Sequence, residues 1–341
     1  MTSWHQALHA LTGTHGVAFR SEVLEELAAA RGWHDRPLAV HVPGFRRCAS
    51  AELPACGGGH WPAVSITGGD CELNCDHCRA GILAPMHPAR TPAELAALVP
   101  RLVAQGAQGM LLTGGSNRRN EVEYGPYLPV IRRLKNRFPA FRIACHTALM
   151  DPPAAAALAR AGVDVAMLDV IGAQDTVSQV YHLKRPVADF EQALAALGQT
   201  SMRVVPHIVL GLHYGRLLGE WEALEMVARQ RADALVLVAV MPAFAGAARP
   251  FATPDPHAAA RFFLDARRRL PGLPLLLGCA RPHGAAKVMM DAYAVLAGLD
   301  GIAHPSEGVL ELARALGRPL TLDGGCCAAG AARLPLAEAV P

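Results

Sequence analysis

The chain has 341 residues, with 32 Lys plus Arg against 29 Asp plus Glu and a formal net charge of +3. Hydrophobic residues make up 52% and charged residues 18%, which suits a large buried core and excludes a disordered chain. Nine cysteines are too sparse for a disulfide miniprotein, and the near-balanced charge gives no basic excess for binding nucleic acid.

Met1 to Gly16 lacks a cationic segment followed by an apolar one, so no secretory signal is expected. The most apolar stretch, Ala232 to Ala248, is interrupted by Asp233 and Pro242. It falls short of the roughly 20 residues that a membrane span needs, so no membrane association is expected. The expected compartment is the cytoplasm, where clustered cysteines read as metal ligands or catalytic groups rather than disulfides.

In chain order, apolar runs fall at Ala63 to Thr67, Gly109 to Thr113, Phe141 to His146 and Val163 to Asp169. They continue at Met202 to Gly211, Ala234 to Met241, Leu273 to Cys279 and Asp300 to Ala303. The repeat of about 30 residues is the size of a βα unit. Runs such as Ala234 to Val240 are apolar without alternation, as in strands of a parallel sheet covered on both faces. Between them, Thr91-Pro92-Ala93-Glu94 reads as a capping box, with Leu95, Leu98, Leu102 and Val103 on one helical face and Gly106 as the stop. Asp151-Pro152-Pro153 opens a second helix that ends near Gly162.

The expected fold is α/β, a full or partial parallel βα barrel of the TIM type. Residues 61–304 form the barrel. An N-terminal extension over 1–60 and a C-terminal helix and tail over 305–341 are expected to cover its mouth. Barrel chemistry sits on the loops that follow the strands.

The loop after the first run carries Cys71, Cys75 and Cys78 at spacings of four and three. Thiolates select zinc or iron–sulfur clusters. Three local thiolates leave one iron of a four-iron cluster open for an outside ligand. A structural zinc site instead calls for a fourth ligand, and His77 is too close to Cys78 to serve easily.

This CX3CX2C loop after a first strand resembles the signature of the radical S-adenosylmethionine (SAM) enzymes. The resemblance spans about Trp61 to Ser306. It implies that Cys71, Cys75 and Cys78 hold a 4Fe-4S cluster whose open iron chelates the methionine part of SAM. Cleavage of that SAM gives a 5′-deoxyadenosyl radical, and the protein supplies orientation and shielding. His77 stands where the family usually has an aromatic residue, and still offers a flat ring.

Further segments follow the same resemblance. Thr113-Gly114-Gly115-Ser116 resembles the Gly-Gly-Glu turn that holds the methionine amino group, with Ser116 in place of Glu. Leu210 and Gly211 lie in a segment resembling the one that packs on adenine. Met241 and Pro242 lie in one resembling the segment that reads the adenine edge. Asp169, at a strand end, is expected among the SAM-binding residues, and His146 beside it is expected to line the cavity.

Cys48, Cys56, Cys279 and Cys326 are candidate ligands of an auxiliary 4Fe-4S cluster, with Cys327 as the substitute for Cys326. Cys145, inside an apolar run, reads as core. Strings such as Leu277-Gly278-Cys279-Ala280-Arg281-Pro282 and Gly301-Ile302-Ala303-His304-Pro305-Ser306 resemble a subunit of the two-component lipoyl synthases. The two cysteine and serine motifs of the single-chain lipoyl synthases, CX4CX5C and Arg-Ser-Ser-Tyr, are absent.

This resemblance implies a radical SAM sulfurtransferase of lipoate biosynthesis, in which the auxiliary cluster donates sulfur to an unactivated C–H bond. Its implied partners are an octanoylated lipoyl carrier protein, a second radical SAM subunit that makes the other sulfur insertion, and an electron donor. Arg281 is a candidate contact to SAM or the carrier, and Ser306 is expected to cap the helix that follows. Alternatives are a biotin-synthase-like sulfuration, a methyl-type transfer, an iron–sulfur electron carrier and a zinc-stabilised binding module.

Overall fold

The computed structural model describes residues 3–30, 36–43, 51–53, 61–329 and 334–335. The strands are β1 (Leu38–His41), β2 (Ala63–Ser65), β3 (His87–Pro88), β4 (Gly109–Thr113), β5 (Arg142–His146) and β6 (Val165–Asp169). They continue with β7 (Arg203–Leu210), β8 (Leu235–Ala239), β9 (Leu275–Leu277), β10 (Gly301–Ala303), β11 (Leu320–Asp323) and β12 (Leu334–Pro335). They form one sheet in the order β12-β11-β1-β10-β9-β8-β7-β6-β5-β4-β2-β3. Neighbours from β11 through to β3 pair in parallel, and β12 adds antiparallel to β11. The ends β12 and β3 do not meet, so the fold is an open α/β half-barrel, the partial form of the expected TIM-type architecture.

All eight expected strands are present, trimmed by up to four residues. The helix caps behave as the sequence implies. Thr91 Oγ1 accepts from the Glu94 backbone N–H at 3.2 Å, while the Glu94 carboxylate reaches back to the Arg90 N–H at 2.7 Å. Asp151 caps Pro152–Ala161, which ends at Gly162 with φ 97°.

Successive strand residues point to opposite faces. Ile143, Cys145, Ala166, Leu168, Val204 and Ile208 pack toward the helices, so Cys145 is core. Ala144, Val165, Met167, Val205, Val236 and Leu276 face the other way and form the concave side.

The two extensions add strands to the sheet. Within the N-terminal extension, β1 inserts between β10 and β11. The C-terminal segment adds β11 and then turns inward. Cys327, Ala328 and Ala329 pack against the concave-face residues and Trp61. The Ala329 carbonyl accepts from Arg142 at 3.1 Å and Arg203 at 3.3 Å. These two residues begin β5 and β7, whereas Asp323 ends β11. The tail therefore runs down the lumen from the mouth to the base instead of lying across the rim.

Trp61 is 2% exposed and seals that base. A Cβ on Gly109 would overlap its ring, so the two positions are matched in size. Trp61→Ala should lower unfolding free energy by about 3–5 kcal/mol, read from denaturant titration. A loss below about 1 kcal/mol would show that the base is not packed around this ring.

Candidate active site at the mouth of the half-barrel

The cysteine loop leaves β2 and is tied directly to the turn that leaves β4. Gly115 N–H donates to Thr67 Oγ1 at 2.7 Å. Glu72 and Leu73 N–H both donate to the Ser116 carbonyl, at 3.0 and 3.2 Å. Cys71 Sγ lies 3.7 Å from the same carbonyl oxygen. A Cβ on Gly115 would fall on the Asp70 carbonyl oxygen and Cys71 Cα, so only glycine permits this approach. The Gly114-Gly115-Ser116 turn thus sets the position of the first cysteine.

A second tie comes from Asp76, which sequence reasoning missed. Its N–H donates to the Val180 carbonyl at 3.0 Å. Its carboxylate, 5% exposed, accepts from His182, Tyr214 and Arg249, each at 3.0 Å. Those partners sit on the loops after β6, β7 and β8, so one carboxylate gathers three rim loops around the cysteine loop. Burial alone would raise the Asp76 carboxyl, but these three bonds hold it below its ordinary value.

Cys75 is buried and Cys71 and Cys78 are half-buried. Burial, followed by the neighbouring Cys78 and Cys71, pushes the Cys75 thiol up strongly. Burial lifts Cys78 to about 11. Cys75 and Cys78 therefore stay protonated at neutral pH unless a positive centre compensates them. Iron does so, and the donor set fits a three-thiolate cluster site.

Beneath the loop lies a polar floor. His77 rests against Tyr181 with ring centroids 5.1 Å apart. Burial lowers His77 to about 4 against the pull of Asp169 and Asp76, so its ring is neutral. Asp169 is within electrostatic reach of both His77 and Cys78. His146 Nε2 approaches Asp169 Oδ1 at 3.4 Å, and the His146 and His207 rings sit 5.6 Å apart, edge to face. Burial alone would raise the Asp169 carboxyl, yet His146, His207 and His77 around it bring it down to about 2. Burial and then His146 lower His207 to about 4, while Asp169 keeps His146 above its ordinary value despite burial.

The tail thiols lie near this group. Cys326 lies within electrostatic reach of His146, and Cys279 within reach of Cys327. Cys326 is the more exposed of the vicinal pair. A hydrogen bond between the two lowers the Cys326 thiol and raises that of Cys327. Cys279, Cys326 and Cys327 therefore come together, while Cys48 and Cys56 lie outside the described residues.

Several candidates take different places from those expected. Leu210 is fully buried on the helix side, so Val209 and His207 are the residues of that segment on the concave side. Gly211, with φ 74°, donates its N–H to the buried Glu220 carboxylate at 2.9 Å. Met241 is buried, and Pro242 opens a short 3-10 turn over Pro242–Phe244. Arg281 is not available to SAM or a carrier. It is fully buried, paired with Asp291 at 2.8 Å, and donates to the carbonyls of Gly278, Ala303 and His304. Ser306 Oγ bonds Asp291 at 2.9 Å, and Gly308 takes the cap of Val309–Ala315. His207 belongs to no motif that the sequence displays. Its place two residues after the inward-facing Val205 would have put it on the concave face.

Residues 65–225 match the family model described as the Radical SAM superfamily. The chain carries a radical SAM domain. No match is found among curated proteins. Among solved structures, methylornithine synthase (PylB) superposes with a TM-score of 0.54 at 13% identity, over 86% of this chain and 81% of that one. HydG, a maturase of the [FeFe]-hydrogenase, superposes with a TM-score of 0.56 at 14% identity, over 89% of this chain and 70% of that one. The same maturase from Carboxydothermus hydrogenoformans gives 0.54 at 12% identity, over 89% and 73%. At such identities the likeness is one of fold. Among the described residues no helix is long and apolar enough to cross a membrane.

The family implies one 4Fe-4S cluster and SAM, and Cys71, Cys75 and Cys78 are the residues that fit the cluster. Gly115→Ala should displace the first of these ligands. Reconstituted protein should then retain under half of the wild-type iron, with an unchanged far-ultraviolet circular dichroism spectrum. Full iron content in that variant would show that the β4 turn does not position the cysteine loop.

Proposed function

We propose that the chain is a radical SAM sulfur-inserting enzyme, one of two subunits that convert a carrier-bound octanoyl chain to a lipoyl group. The observation that supports this reading is the descent of the tail into the lumen. It packs Cys326 and Cys327 against the concave face, with Cys326 within electrostatic reach of His146 and Cys327 within reach of Cys279. Sulfur held inside the cavity is what such a reaction requires. An unactivated C–H bond has no acidic proton for a base to remove, so the carbon radical must meet a sulfur atom at contact distance.

A bound cluster would supply the electron that cleaves SAM to the carbon-centred radical that takes the hydrogen atom. The chain's own residues do the rest. Gly114, Gly115 and Ser116 face the cluster loop with backbone groups, and His77 closes one side with a neutral ring. Asp76 keeps the rim loops gathered. Cys279 and Cys326, with Cys48 and Cys56, are the proposed ligands of the auxiliary cluster, and Cys327 is the substitute for Cys326.

A second reading, another radical SAM reaction on a more polar substrate, is favoured by the charged floor of His146, Asp169 and His207. Anaerobic incubation with SAM, a reductant and an octanoylated carrier peptide separates the two by mass analysis. The first reading predicts a monothiolated octanoyl product from this chain alone. Cys279→Ser with Cys326→Ser should still release 5′-deoxyadenosine but transfer no sulfur. Cleavage of SAM by the wild type with no thiolated peptide would favour the second reading. Complete lipoyl formation by this chain alone would refute the division of labour.

A further inference from the structure

The polar floor has a geometry of its own that neither cluster uses. His146 ends β5, Asp169 ends β6, and His207 lies opposite Asp169 in the β6–β7 register. Each stands two residues after an inward-facing neighbour: Ala144, Met167 and Val205. All three side chains therefore emerge on the concave face, at the same level, from adjacent strands. Their ligand atoms all lie within 4.8 Å of one another. Metal bonds of about 2.0–2.2 Å to nitrogen and oxygen place neighbouring ligand atoms roughly 3–3.5 Å apart. The His146 Nε2 to Asp169 Oδ1 separation is already 3.4 Å, so small side-chain rotations complete the set.

The hydrogen bonding also points outward from the ring of His207. Its Nδ1 lies 3.0 Å from the Val205 carbonyl oxygen, which can only accept. Nδ1 therefore carries the proton, and the lone pair is on Nε2. A histidine that donates one ring N–H to a backbone carbonyl is oriented as metal-bound histidines are.

We propose that His146, Asp169 and His207 bind one divalent transition-metal ion, of the zinc or ferrous class, on the floor of the cavity. Two imidazoles and a carboxylate arranged on one side leave coordination positions open. Those positions face the space between the cysteine loop and the tail. They would take an oxygen or nitrogen donor of the substrate and hold it for reaction. The proposal does not depend on sulfur insertion and holds for either reading above.

The test uses the full chain with its iron–sulfur sites loaded, so that the cysteines are occupied. The protein is treated with a mild chelator, mixed with Zn(II) alone, and desalted. One zinc per chain should remain, beyond what the chelated sample holds. Zinc-edge X-ray absorption should show nitrogen and oxygen at about 2.0–2.1 Å with imidazole scattering, and no sulfur shell near 2.3 Å. His146→Gln with His207→Gln should weaken zinc binding by about 100-fold or more, with the iron–sulfur absorption unchanged. A wild-type protein that retains no zinc would overturn the proposal. So would a sulfur shell, which would place the ion on Cys326 or Cys279, or undiminished binding in the double variant. The absorption spectrum of the wild type decides the matter even if the variant does not fold.

Discussion

The eleven strands from β1 to β11 all run the same way, so every one ends on the same rim. The side chains of each strand alternate, so residues two apart reach the same face. Strand direction and alternation together decide what can meet at the mouth. They bring the loops after β2 and β4 into contact at Cys71 and Ser116, and place His146, Asp169 and His207 side by side. Because the sheet stays open between β12 and β3, the lumen can also receive a segment of chain, and the tail fills its lower part.

Desolvation is the force that this arrangement has to answer. It acts on thiols, carboxylates and imidazoles alike by disfavouring their charged forms. Asp76 and Asp169 resist it because donors or histidines surround them, and both remain ionised. At Cys75 and Cys78 burial outweighs the backbone hydrogen bonds they accept, and both are held as thiols until a cation arrives. The same burial that makes the loop a poor home for free thiolates makes it a strong one for iron. The carboxylates on either side keep the loop in place and mark the floor.

Most of the architecture was legible because long apolar runs and helix caps are local signals. Gly109 to Thr113 matches its strand residue for residue, and the Thr91 cap lies where its motif implies. The strands that escaped notice are short. Leu38–His41 has four residues, and His87–Pro88 two, so neither gives a periodic pattern. The cysteine loop was legible from spacing alone. Asp76 was not, because its partners His182, Tyr214 and Arg249 lie more than 100 residues away and share no spacing with it. The path of the tail was hidden for the same reason. Nothing in Cys326-Cys327-Ala328-Ala329 says that it will enter a lumen rather than cover one. Small side chains are nevertheless what that narrow space admits. The reading of Arg281 failed because its counter-charge, Asp291, sits on the following helix, and pairing within the core took precedence over ligand binding.

The central claim is that the loop of Cys71, Cys75 and Cys78 is the place where SAM is cleaved. Its most direct test is the release of 5′-deoxyadenosine from SAM by reduced, anaerobically reconstituted protein. The wild type should release it, and the variant with all three cysteines replaced by alanine should release none. Equal release by the two proteins would contradict the account.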